Sequence, residues 1–179
     1  VIFTQGCNFR CPYCHNPQLV EPSLFGCPLD PEYVLSFLHT RIGRIQGVVL
    51  SGGEPTLQPD LPEFIRQVRR LGFPIKLDTN GSRPEMLRNL IEGELIDFVA
   101  MDLKAPLYKY SQVARVKVDI DNIVGSIQVL HNAGIDYLFR TTVASPLVNA
   151  ADVDYIRRYL VGSALYVQQK MVFCKTLLA

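Results

Sequence analysis

The sequence predicts an α/β fold built on parallel strands. Two observations predict it. Short apolar runs alternate with amphipathic stretches along the 179 residues, and most of those stretches close on a glycine, a frequent helix stop. The runs also lack strict polar–apolar alternation, which is the pattern of strands covered on both faces.

The elements follow in order. The strand candidates are residues 1–4, 48–50, 75–78, 98–103, 137–143 and 165–167. A first helix starts at Asp30-Pro31 and carries Val34, Leu35, Leu38 and Ile42 before Gly43. In the second, Asp60 is the cap, Leu61, Phe64, Ile65, Val68 and Leu71 share one face, and Gly72 is the stop. A third begins at Pro84 and ends at Gly93; a fourth follows Asp121 and ends at Gly134; a fifth runs from about Asp152 to Gly162. Residues 105–119 have weak periodicity and read as a long loop, mobile or facing a partner. Six strands and five helices suit a doubly wound sheet or part of a βα barrel, in one domain over residues 1–179. A complete eight-stranded barrel takes about 250 residues. The chain opens on Val1 inside an apolar run, so its N-terminus is expected to be incomplete.

Lysine plus arginine total 18 and aspartate plus glutamate 17. That balance gives no electrostatic case for a nucleic-acid or membrane partner. The cysteines are Cys7, Cys11, Cys14, Cys27 and Cys174. An odd count with three crowded together argues against a secreted disulfide framework and for a reducing, cytoplasmic compartment.

Working residues of parallel α/β folds gather at the carboxyl ends of the strands. Here those ends are polar. The first leads into the loop from Gly6 to Asn16, which holds Cys7, Cys11, Tyr13, Cys14 and His15. The second leads into Ser51-Gly52-Gly53-Glu54-Pro55, the third into Asp78-Thr79-Asn80-Gly81, and the fourth into Asp102-Leu103-Lys104; the fifth carries Arg140. Asp78 and Asn80 share a strand face, as do Asp102 and Lys104, so both pairs can point into one cavity. The three-cysteine loop can wrap one metal center, and soft thiolates favour an iron–sulfur cluster or zinc. Three thiolates on a four-iron cubane leave one iron open to a ligand from outside. The competing reading is structural zinc with Cys27 as fourth ligand. Taken singly, the glycine turn could be a plain strand-to-helix connection and the Asp78 segment an Asx turn.

The string Cys7-x-x-x-Cys11-x-x-Cys14, with an aromatic residue before the last cysteine, resembles the signature of the radical S-adenosylmethionine (SAM) superfamily. Gly52-Gly53-Glu54 resembles its second motif. Cys14-His15-Asn16-Pro17, Asp78-Thr79-Asn80-Gly81 and Asp102-Leu103-Lys104 are similar to the glycyl-radical-enzyme activases, most of all those of anaerobic ribonucleoside-triphosphate reductase and next those of pyruvate formate-lyase. The resemblance implies a partial (β/α)6 TIM-like barrel with a [4Fe-4S] cluster at its open rim. It implies Cys7, Cys11 and Cys14 as ligands to three irons. For SAM it implies the backbone beside Tyr13 at the adenine, Asn16 and Asp78 at the ribose, the Gly52-Gly53-Glu54 turn and Asp102 at the amino group, and Lys104 and Arg140 opposite the carboxylate; Asn80 belongs to the same set. It implies reductive cleavage of SAM and hydrogen abstraction from a glycine of a partner enzyme, with an electron donor such as a flavodoxin or ferredoxin. No general base is required, and His15, His39 and His131 read as structural. The other readings are a small-molecule radical SAM enzyme and a non-catalytic zinc or thiol-redox module. Residues 165–179 match loosely, and Cys27 and Cys174 match no motif.

Overall fold

A computed structural model describes residues 1–171. Its one sheet has six parallel strands: β1 (Ile2–Thr4), β2 (Val48–Gly52), β3 (Ile75–Thr79), β4 (Phe98–Asp102), β5 (Asp136–Val143) and β6 (Leu165–Lys170). They lie in the order of the sequence, β1 to β6, and the sheet does not close. A doubly wound sheet reverses its winding at a switch point. This one never does, so the winding is that of a barrel, and the expected partial barrel holds.

The helices are α1 (Pro31–His39), α2 (Leu61–Arg70), α3 (Pro84–Glu92), α4 (Tyr110–Ala114), α5 (Ile120–His131) and α6 (Ala150–Ile156). Leu61, Ile65 and Val68 of α2, Leu87 and Leu90 of α3, and Ile123, Ile127 and Leu130 of α5 share one core with Leu50, Ile75, Leu77, Val99, Met101 and Phe139 of the strands. Burial of such side chains stabilises the fold by about 1.5–3 kcal/mol each.

Some expectations need correction. Except for β4, whose Val99, Ala100 and Met101 are all buried, the strands are not covered on both faces. Along β3, Ile75, Leu77 and Thr79 are buried while Lys76 and Asp78 are partly exposed; β2 and β5 alternate in the same way. One face packs into the helix layer and the other is an open concave wall. Residues 105–119 are not a long loop. Leu107–Lys109 form a 3-10 turn leading into α4, whose Tyr110, Val113 and Ala114 are buried, and left-handed Arg115 follows it. Asp60 makes no side-chain cap to α2. α5 begins at Ile120, so Asp121 lies inside it rather than before it; the cap is Asp119, which accepts from the Asp121 N–H. The first helix stops at His39, which leaves Ile42 exposed. The last begins at Ala150 behind an Asn149–Asp152 capping box, then widens into a π turn over Arg157–Val161 before Gly162. Cys174 lies outside the described residues. Among the described residues no helix is long and apolar enough to cross a membrane.

Candidate active site

The cavity opens at the carboxyl ends of the strands. It gathers every residue expected to hold the cluster or SAM: Cys7, Cys11, Tyr13, Cys14, Asn16, Gly52, Gly53, Glu54, Asp78, Asn80, Asp102, Lys104 and Arg140. His15 also lines it, whereas His39 and His131 end helices elsewhere. Phe9, Val20, Ser51, Thr79, Thr142 and Gln169 complete the wall. Ser51 sits beside the glycine turn, Thr142 is two residues past Arg140, and Gln169 pairs with Thr142 in the register. Strand parity from Arg140 would have found Thr142; Gln169 needed the register.

The cysteine loop is held from both sides. Gly6 N–H donates to the Leu19 carbonyl at 2.8 Å, and Glu54 N–H donates to the Gly6 carbonyl at 2.8 Å. Gly53 lies so close that a Cβ there would run into the Gly6 carbonyl. Gly52 has φ +116°, and a Cβ there would strike the backbone of Thr4. The Gly52–Gly53 turn is therefore a close approach of two loops that only glycine permits. Cys11 is buried, and burial pushes its thiol up to about 11. Burial also raises Cys7, against the Phe9 N–H that donates to its sulfur.

Glu54 is fully buried. Its carboxylate accepts from the Thr56 N–H and hydroxyl, the Thr79 hydroxyl at 2.7 Å and the Asn80 N–H at 2.6 Å. Burial pushes its pKa up and those donors oppose the rise. Its oxygens are committed to protein, so the carboxylate acts as a tie between the ends of β2 and β3.

Asp78, Asp102 and Arg140 form a charged girdle on the concave wall. Asp102 and Arg140 are register partners, and Arg140 Nε donates to Asp102 Oδ1 at 2.7 Å. Arg140 also reaches across β4 to Asp78 Oδ2 at 3.2 Å. The β4 residue in register with Asp78 is Ala100, which adds only a methyl group. Lys104 Nζ meets Asp102 Oδ2 at 2.9 Å, and Lys76 Nζ meets Asp78 Oδ1 at 3.0 Å. Burial works against the charge on Asp102, but Lys104 and Arg140 outweigh it and hold the carboxyl below its ordinary value. Burial also opposes the charge on Lys104 and on Arg140; Asp102 outweighs it in both and raises them.

Cys27 stands apart. It is exposed, its sulfur faces the Pro28 carbonyl at 3.7 Å, and it does not line the cavity. Among the described residues no three Cys, His, Asp or Glu side chains are grouped as a single metal ion requires. The four-thiol zinc site is not built here.

The radical SAM superfamily model matches residues 1–160. The chain belongs to the radical SAM superfamily. A candidate glycyl-radical enzyme activating enzyme of Methanocaldococcus jannaschii is 34% identical over 95% of this radical SAM chain and 71% of its own length. A candidate GTP 3′,8-cyclase of Metallosphaera sedula is 31% identical, over 75% of this chain and 42% of its own. The fold of Streptococcus suis SuiB bound to S-adenosylmethionine superposes with a TM-score of 0.76 at 11% identity, over 96% of this chain and 40% of that one. The radical SAM chain thus matches from about two-fifths to seven-tenths of these proteins' lengths.

The cavity fits the two groups the superfamily implies. Three soft thiols stand on one wall with no fourth cysteine beside them among the described residues. Fixed charges of both signs stand on the girdle. Tyr13 lines the cavity, and its buried hydroxyl has no hydrogen-bond partner among the described residues.

Proposed function

We propose that this radical SAM enzyme installs a glycyl radical on a partner enzyme, with anaerobic ribonucleoside-triphosphate reductase as the first candidate. The observation that carries this reading is the activase relative, 34% identical over 95% of the chain. Cys7, Cys11 and Cys14 would hold a [4Fe-4S] cluster through three irons, and SAM would occupy the polar part of the cavity. When bound, the pair supplies one-electron cleavage of a carbon–sulfur bond.

The chain's own residues do the positioning. Asp102 and Lys104 present a fixed carboxylate and a fixed ammonium to the amino-acid end of SAM. The Gly52–Gly53 turn and Asn16 offer polar groups at close range, and the chain beside Tyr13 offers its backbone. Arg140 acts through the carboxylates: it donates hydrogen bonds to Asp78 and Asp102, which fixes where both point. Phe9 and Val20 supply an apolar stretch of wall that keeps water from part of the site. The electron donor would be a flavodoxin or ferredoxin.

The test is anaerobic reconstitution with iron and sulfide, reduction, and addition of SAM. A cluster spectrum and 5′-deoxyadenosine are expected, then a glycyl-radical EPR doublet on the reductase. A doublet on pyruvate formate-lyase alone would move the enzyme to that partner, and no 5′-deoxyadenosine would end the radical reading. Cys11→Ala should abolish cluster binding and Cys27→Ala should leave iron content unchanged. Cluster loss in the Cys27 variant would restore a four-thiol site.

A further inference from the structure

Asn80 stands just past the end of β3 and is 5% exposed. Its side chain is engaged on both sides by protein. Oδ1 accepts from the Ser82 N–H at 2.9 Å. Nδ2 donates to Asn8 Oδ1 at 2.9 Å and to Cys7 Sγ at 3.9 Å. Its backbone N–H is pinned by Glu54. Asn8 completes the circuit by donating to the Ser82 hydroxyl at 2.9 Å. The circuit joins three strand-end loops: the cysteine loop through Asn8, the glycine turn through Glu54, and the β3 end through Asn80 and Ser82. Cys7 Sγ receives a further N–H from Phe9 at 3.4 Å.

We propose that Asn80 is a positioning residue for the cysteine loop, one that aims an N–H at the Cys7 sulfur and raises the reduction potential of the cluster, rather than a contact to SAM. The inference rests on the reading that Cys7, Cys11 and Cys14 ligate the cluster. Reduction adds negative charge that is shared with the ligating sulfurs. An N–H pointed at such a sulfur stabilises the reduced form more than the oxidised one. Asn80 is nearly buried, so its oriented dipole carries more weight than it would in water. The carboxamide is suited to the place: Asn8 Oδ1 and Cys7 Sγ need a donor, while the Ser82 N–H needs an acceptor. An aspartate at residue 80 would present only acceptors when ionised.

The experiment is a spectroelectrochemical titration of the reconstituted full chain without SAM, comparing wild type with Asn80→Ala and Asn80→Ser. Serine keeps a polar group but is too short to reach Cys7. Both variants should hold the cluster and show a more negative midpoint potential, so a smaller fraction is reduced at the same poise. SAM affinity should change less than about twofold. An unchanged midpoint in the loaded variants overturns the inference, with or without weaker SAM binding; weaker binding alone would make Asn80 a SAM contact. Failure of both variants to load, with wild-type circular dichroism, also overturns it, because a tuning donor leaves the three ligands in place. If wild type assembles no cluster, the functional reading fails and takes this inference with it. A wild-type cluster with an unmoved variant potential sinks the inference alone.

Discussion

Asp102 shows most directly how a single side chain carries the site. Two cations hold it ionised, so its folded pKa lies below the ordinary aspartate value of 3.8. A depressed carboxyl contributes stability that is complete above the unfolded value and is lost as pH falls through the folded one. Asp102→Asn should therefore cost about 2 kcal/mol near neutral pH, and the gap to wild type should close as pH drops below 3.8. Urea denaturation of the cluster-free protein at several pH values measures it; a gap that persists in acid would mean the loss is one of shape. At this scale the residue types are legible in the sequence and their partners are not. The positions of Asp78, Asp102 and Arg140 were visible at strand ends, yet the Arg140 tie depends on strand register. The Asn8–Asn80–Ser82 circuit spans 72 and 74 residues and leaves no local pattern.

Among the elements, the β2 end is the least tolerant. Gly53→Ala would push a Cβ into the Gly6 carbonyl and to 3.0 Å from the Leu19 carbonyl, both backbone atoms. The cysteine loop would have to move, at a cost of roughly 2–4 kcal/mol. Gly125, inside α5, is the contrast. A Cβ there would meet Pro84 at 3.4 and 3.6 Å, ordinary van der Waals contact. Gly125→Ala should stabilise the protein by about 0.5–1 kcal/mol through lower unfolded-state entropy and better helix propensity. Thermal unfolding of the two variants should move in opposite directions; destabilisation in both would mean α5 packs more tightly on α3 than these distances allow. Five of the six helices were legible because a repeated apolar face and a stop residue mark a helix of three turns. Five-residue α4 is too short to show a period, and its buried Tyr110 is fixed by tertiary contacts, with its hydroxyl accepting from the Lys104 N–H at 3.2 Å. The open concave face was hidden for a different reason: Val49 and Leu138 are apolar residues on strands that also carry polar ones, which blurs the alternation.

For the whole molecule, the open sheet sets the order of stability. β2 to β5 each have two neighbours, whereas β1, with three residues, and β6, with six, are edges. Hydrogen exchange under native conditions should find the slowest amides in β3 and β4 and faster ones in β1 and β6. Equal protection of β1 and β4 would imply that another segment covers the first edge. The fold class was readable from the sequence because barrel winding and doubly wound sheets share the same strand–helix grammar. What separates them is neighbour order, which is a property of space and not of the chain.

That neighbour order also has a consequence for biosynthesis. A ribosome delivers β3 and β4 before β5, so Asp78 and Asp102 are made about forty to sixty residues ahead of the arginine that bridges them. Until Arg140 emerges, the nascent sheet has two carboxylates on one wall with only Lys76 and Lys104 beside them. The guanidinium then works as a late latch: it ties the two lysine–carboxylate pairs together across β4, so the wall of the ligand cavity is complete only once β5 has been made.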